Sequence, residues 1–151
     1  MVRTMAHSPA LLDRYLNLSG AMKRAKLHRR LGEKVSLAIQ EHLGCGYCLA
    51  AHTDVARSLG LSEREIELAR QATADDPKEA ALLFFAVRVL VEPASLTDAD
   101  IAELARQGFS DRLLADVVGL VARNLLTGAF DLVAGLVDSS PSESAAAVGA
   151  A

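Results

Sequence analysis

The sequence predicts an all-α, single-domain bundle of about six to seven helices, and three observations carry that expectation. The apolar fraction is 51% with a mean hydropathy of +0.22, yet aromatics are 4% and Trp is absent, a balance met by an Ala/Leu/Val-rich helical core. Apolar residues recur at the 3.6-residue helical period, and no stretch alternates as a half-buried strand does. Helix-starting and helix-stopping residues punctuate the chain. At 151 residues, one domain buries enough apolar surface to fold without staples.

In chain order, residues 31–43 set Leu31, Val35, Ala38, Ile39 and Leu43 on one helical stripe, which Gly44 stops. A second helix opens around 44–47, runs to Ser58 and is closed by Gly60. Ser62 with Glu65 three residues on is a capping box, and Asp76 before Pro77 starts the apolar helix through Val91. Thr97 with Asp100 opens another capped helix, ended near Gln107 by Gly108. Ser110 and Asp111 start the last helix, apolar almost all round over 113–137, which belongs in the core or at a subunit interface. The domain is expected over 1–138, with a disordered tail, SSPSESAAAVGAA, over 139–151.

Composition also narrows the function classes. A net charge of −3 gives no reason to expect nucleic acid, and the basic run KRAKLHRR at 23–30 has no interleaved aromatics, so it reads as a solvated face at the start of a helix. The apolar run 80–91 is broken by Arg88 and is too short for a bilayer, and the N-terminal stretch has no signal-peptide core. No membrane association and a cytoplasmic location are therefore expected. In a reducing compartment, two cysteines three apart are redox-active or metal-binding more often than a permanent crosslink, and the short loop between them makes a poor staple.

That pair sits in GCGYCLAAH, residues 44–52. If the segment is helical, Cys45, Cys48 and His52 fall within roughly 60 degrees of one another around the axis. His52 is one turn after Cys48, so its ring can accept the Cys48 proton or pair with the thiolate. Cys45 lies on the first turn, where unpaired amides and the helix dipole favour an anion. The dipole thus favours Cys45 as the nucleophile, as the N-terminal thiol is the more exposed, attacking one in thioredoxin-like motifs, and the neighbouring base favours Cys48. The base is the heavier consideration, which makes Cys48 the attacker of a small oxidant and Cys45 the partner that closes the disulfide and meets the external reductant.

Two rivals remain at this level. His42, Cys45, Cys48 and His52 offer a zinc-like donor set, but on a continuous helix the two histidines lie about 15 Å apart along the axis, so all four converge only if Gly44 breaks the helix sharply. The blander reading makes the cysteines small core residues and His52 a surface group. No resident metal or cofactor is expected.

The pattern extends beyond the pair. Glu33, eleven intervening residues, then C-G-Y-C-x-x-x-H, followed by TDVARSLGLSERE, DPKEAALLFFAVRVL and LTDADIAELARQGFSDRLLADVVGLVARN, resembles the alkylhydroperoxidase D-like branch of the carboxymuconolactone decarboxylase superfamily over most of the chain. The resemblance implies a helical bundle of that type and a thiol-dependent peroxidase acting on hydrogen peroxide or small alkyl hydroperoxides. It implies Cys48 as attacker, Cys45 as resolving thiol, His52 with Glu33 as a proton relay through water, an external dithiol reductant, and a homo-oligomer, trimer or hexamer. The better-known peroxidase of that branch has a second His between the cysteines where this chain has Tyr47, and a phenol is no base at neutral pH.

The decarboxylase branch uses no C-x-x-C, so the pair argues against lactone decarboxylation, which stays an alternative beside a non-catalytic redox- or metal-responsive subunit. On its own, Glu33 reads as a surface residue of the preceding helix, and a fold-back about Gly44 carries it away from Cys45 unless the turn is wide. Glu41 is nearer in sequence but expected to face elsewhere, His42 is a candidate second contributor, and His7 and His28 read as surface.

Overall fold

The structure, a computed structural model, describes residues 1–136; the domain boundary expected at 138 and the tail expected over 139–151 lie outside the described residues. Its centre is α3 (Arg29–Leu43), in which every residue from Lys34 to Gln40 is buried. A helix buried all round needs neighbours on every side. Those are α4 (Gly46–Ser58), α5 (Glu63–Arg70), α6 (Pro77–Val91) and α8 (Asp111–Val133), all packed on α3. The remaining described elements are α1 (Val2–Met5), α2 (Pro9–Met22), a 3₁₀ turn at Pro93–Ser95 and α7 (Asp98–Arg106).

The described residues thus hold eight α-helices, against the six to seven expected. The surplus is at the N-terminus. Ser8 caps α2 through the Leu11 amide and Pro9 occupies its first turn, yet none of its fourteen residues is buried, so its apolar pattern is weak. The other starts follow the sequence signals: Ser62/Glu65 and Thr97/Asp100 each close a capping box, and Asp76 and Ser110 cap α6 and α8. The basic run at 23–30 is mostly the connection into α3, not its first turn, because the helix begins at Arg29. Arg30 in that run is structural: it donates to the carbonyls of Leu59 and Gly60 and to Glu65.

One core runs through the bundle, built from Val35, Leu37 and Ile39 of α3, Leu82, Leu83 and Phe85 of α6, and Leu114, Val117, Leu120 and Val121 of α8. Buried Lys34 ties α3 to its neighbours, with Nζ 2.6 Å from Glu79 and 3.1 Å from Glu65. Burial alone would push its ammonium down, but hydrogen bonds to Glu79 and Glu65 outweigh that and hold it above the ordinary value.

The α3–α8 contact carries a polar seam. Gln40 Nε2 donates to the Asn124 carbonyl and to its Oδ1, while Asn124 Nδ2 donates to Ser36 Oγ and to the Leu120 carbonyl. The helices touch closely at Gly128, where a Cβ would come within 2.6 Å of Gln40 Oε1 and 2.7 Å of Leu43 Cδ1.

By length and composition α8 is long and apolar enough to cross a membrane, which the reading of the 80–91 run did not anticipate. One face of it packs on the bundle, and a third of its apolar stretch is buried. Leu114, Val117, Leu120, Val121, Asn124, Gly128 and Asp131 form an inward stripe. The helix stops at Val133, four residues short of the expectation, because Gly135 takes the left-handed φ of 65° that closes a helix end.

Candidate functional site

The cysteines sit where α3 turns into α4. Gly44, at φ 70°, ends α3 in the left-handed conformation, and Cys45 is the N-cap of α4, its Sγ accepting the Cys48 amide at 3.3 Å. Spacing of one helical turn brings the two Cα atoms to 5.3 Å, within the range a disulfide spans, and the two sulfurs are bonded. Both are buried, Cys45 at 2% exposure and Cys48 at 5%, so the expectation that the N-terminal thiol is the exposed one is corrected: the helix end and its neighbours enclose it. Between them Cys48 is the one that lines a cavity of ≈ 290 Å³, together with Tyr47, His52, Arg123, Thr127 and Asp131.

His52 is held by Glu33, with Nδ1 2.7 Å from Oε2 and both side chains about one-fifth exposed. The fold-back about Gly44 does carry Glu33 away from Cys45, but it brings it beside His52, two turns into the returning helix. Glu33 thus reaches the site through His52. No hydrogen bond joins the imidazole to either sulfur; its direct partner is the carboxylate, and the ring meets Cys48 across the shared cavity.

The group that touches the Cys48 sulfur is one the motif does not contain. Asp131, on α8, places Oδ2 3.3 Å from Cys48 Sγ, is 2% exposed, and leaves Oδ1 without a partner among the described residues. Burial pushes its carboxyl above the ordinary range, a little opposed by the positive amino group of Met1. Its sequence signal was a lone acid at 131 on the stripe of 117, 121, 124 and 128, a position that faces inward.

The donor set named from sequence for a metal does not form. His42 is exposed at the end of α3, and the cluster that the geometry gives is Cys45, Cys48 and Asp131, with ligand atoms within 4.8 Å of one another. With the sulfurs joined neither is a thiolate, and the cluster is not a metal site in this state. Glu41 pairs with Arg70 at 2.8 Å, and His7 and His28 are exposed, as their surface reading had it.

Comparison with known proteins agrees with this architecture. Residues 9–92 match the model of the carboxymuconolactone decarboxylase family. A peroxidase-related protein from Ralstonia eutropha JMP134 with an alkylhydroperoxidase AhpD core superposes with a TM-score of 0.78 at 24% identity, over 86% of this chain and 71% of that one. A protein of unknown function from Agrobacterium tumefaciens, considered an antioxidant-defence protein AhpD, gives 0.79 at 20%, over 91% and 96%. The debrominase Bmp8, solved as a cysteine-to-alanine variant with 2,3,4-tribromopyrrole, gives 0.72 at 21%, over 87% and 72%. No curated protein matches the sequence. The matched segment covers α2 to α6 and with them the Glu33, Cys45, Cys48 and His52 positions, and the chain belongs to the carboxymuconolactone decarboxylase family.

Proposed function

We propose that the chain is a cytoplasmic thiol peroxidase that reduces hydrogen peroxide or small alkyl hydroperoxides through a Cys45–Cys48 disulfide cycle, drawing electrons from an external dithiol. The observation that carries the reading is the bonded pair with Cys48 on the wall of a cavity it shares with His52. A cavity of that size admits a small hydroperoxide. The Cys48 thiolate attacks the terminal peroxide oxygen, the O–O bond breaks, and Cys48 becomes a sulfenic acid. Cys45, one turn away, attacks that sulfur and expels water as the disulfide forms. The alkoxide leaving group needs a proton, and His52, oriented by Glu33, is placed on the cavity to supply it.

Neighbours in fold include peroxidase-related proteins and a debrominase, so fold alone does not select the reaction. The bonded pair supports thiol chemistry over lactone decarboxylation, which has no use for two sulfurs at bonding distance. Cys45 is buried between exposed Gly44 and Gly46, and the dithiol reaches it when that turn opens. A steady-state assay of hydroperoxide consumption with dithiol donors tests the mechanism. Wild type turns over, and Cys48→Ser loses activity to background; full activity in the variant would end the mechanism.

A further inference from the structure

Asp131 stands outside the motif, yet it is the group in contact with the Cys48 sulfur. Among the described residues no other polar partner meets either of its oxygens. An ionised carboxylate there would be desolvated beside a sulfur with no N–H donor to hold its charge, a costly arrangement. The neutral acid has what the position asks for, a proton to give to sulfur. As filler an acid is a poor choice at 2% exposure on the stripe of α8 that packs on α3 and α4, where Leu or Asn would serve.

We propose that Asp131 is a catalytic residue that carries the Cys48 proton, giving it up when the disulfide opens and taking it back when Cys48 attacks the oxidant. The proposal rests on the thiol-peroxidase reading above. In reduction, a thiolate of the external dithiol attacks Cys45 Sγ. A bond forms to the reductant, the Cys45–Cys48 bond breaks, and its electron pair goes to Cys48 Sγ, which takes the Asp131 proton. The second thiol of the reductant then displaces Cys45, which is protonated from solvent, and the reductant leaves as its disulfide. In oxidation, the Asp131 carboxylate accepts the Cys48 proton, the thiolate attacks the hydroperoxide, and the alkoxide is protonated through His52 from solvent. When the Cys45 thiol attacks the sulfenic acid, the hydroxyl leaves with the Cys45 proton as water. Asp131 ends the cycle protonated, as it began.

The test uses the reductive half-reaction, which involves no peroxide. Oxidised wild type and Asp131→Asn are mixed with excess dithiothreitol, and the appearance of protein thiols is followed across pH, each rate divided by the thiolate fraction of the reagent. The other titrating or charged groups around the cavity, the Met1 amino group, Tyr15, Tyr47, His52 and Arg123, together with Cys45, are common to both proteins. The difference between the profiles therefore isolates Asp131. In wild type the corrected rate falls as pH rises through the raised Asp131 pKa; in Asp131→Asn it is lower by about 10²-fold at the acid end and lacks that fall.

Equal rates with the same pH profile would overturn the proposal, whereas a wild type that opens its disulfide this way but consumes no hydroperoxide would sink the peroxidase reading instead. Should Asp131→Asn not fold, carbon NMR of the aspartate carboxyls in oxidised wild type decides. A midpoint for Asp131 above the ordinary value of about 3.9 supports the role, and one at or below it overturns it.

Discussion

Glu65 shows how one side chain couples local and tertiary structure. Its carboxylate accepts the Ser62 amide that starts α5, and it also receives Lys34 and Arg30 from α3. The Ser62 backbone hydrogen bond first, and then Lys34, hold its pKa down at about 2 from an ordinary 4.5. A depressed carboxyl contributes stability above its unfolded pKa and loses it as pH falls through the folded one, so this contribution disappears between 4.5 and about 2. Glu65→Gln keeps the cap, since Gln also closes a capping box, and removes the charge. Thermal melting should show the variant less stable at neutral pH by on the order of 1 kcal/mol, with a shallower loss on acidification than wild type. The candidate site residues divide along the same line of local and tertiary. Cys45, Cys48 and His52 were legible because one helical turn relates them, and that relation needs no tertiary knowledge. Glu33 was legible through the family pattern alone, because its approach to His52 depends on how α4 returns along α3. Asp131 was not named, since it meets Cys48 from 83 positions away and nothing local announces that contact.

At the scale of elements, most starts were legible and half of the α-helix stops were set by glycine. Gly44, Gly60 and Gly108 take positive φ at the ends of α3, α4 and α7, where the sequence places those helix ends. α8 is the element whose two faces matter most. Its inward stripe carries Asn124 and Asp131, while Val118, Leu125, Leu132 and Val133 are exposed at 44% or more on the outside. Ala122, Leu126, Ala129 and Phe130 continue that outer face, which is almost wholly apolar. We propose that this face joins copies of the chain in a homo-oligomer, as the family pattern implies. Leu125→Glu places a charge in its middle and, being outside the core, leaves the fold intact. Sedimentation should show wild type as a trimer or hexamer and Leu125→Glu as smaller species with unchanged helical content; equal assembly in both would rule this face out as the interface.

For the molecule as a whole, the helical class followed from composition and period, and the superposed structures share it. The count did not, because α1 and α2 lie over the bundle with one buried residue, Met5, between them, and such helices leave little apolar pattern. The bundle as a whole gives the site what neither helix of the motif can supply. α3 provides Glu33, the α3–α4 turn positions the sulfurs, and α8 seals them with Asp131, so two thiols that a short peptide would leave in water are enclosed beside an acid and a small cavity. In the proposed peroxidase cycle, that enclosure protects the sulfenic acid from overoxidation and leaves Cys45 as its nearest nucleophile. The most direct measurement is a count of free thiols in the reduced protein before and after one equivalent of hydroperoxide. The account predicts that two thiols per chain disappear and that a dithiol restores both. Two unreactive thiols, or loss of one with a stable sulfinic acid, would contradict it.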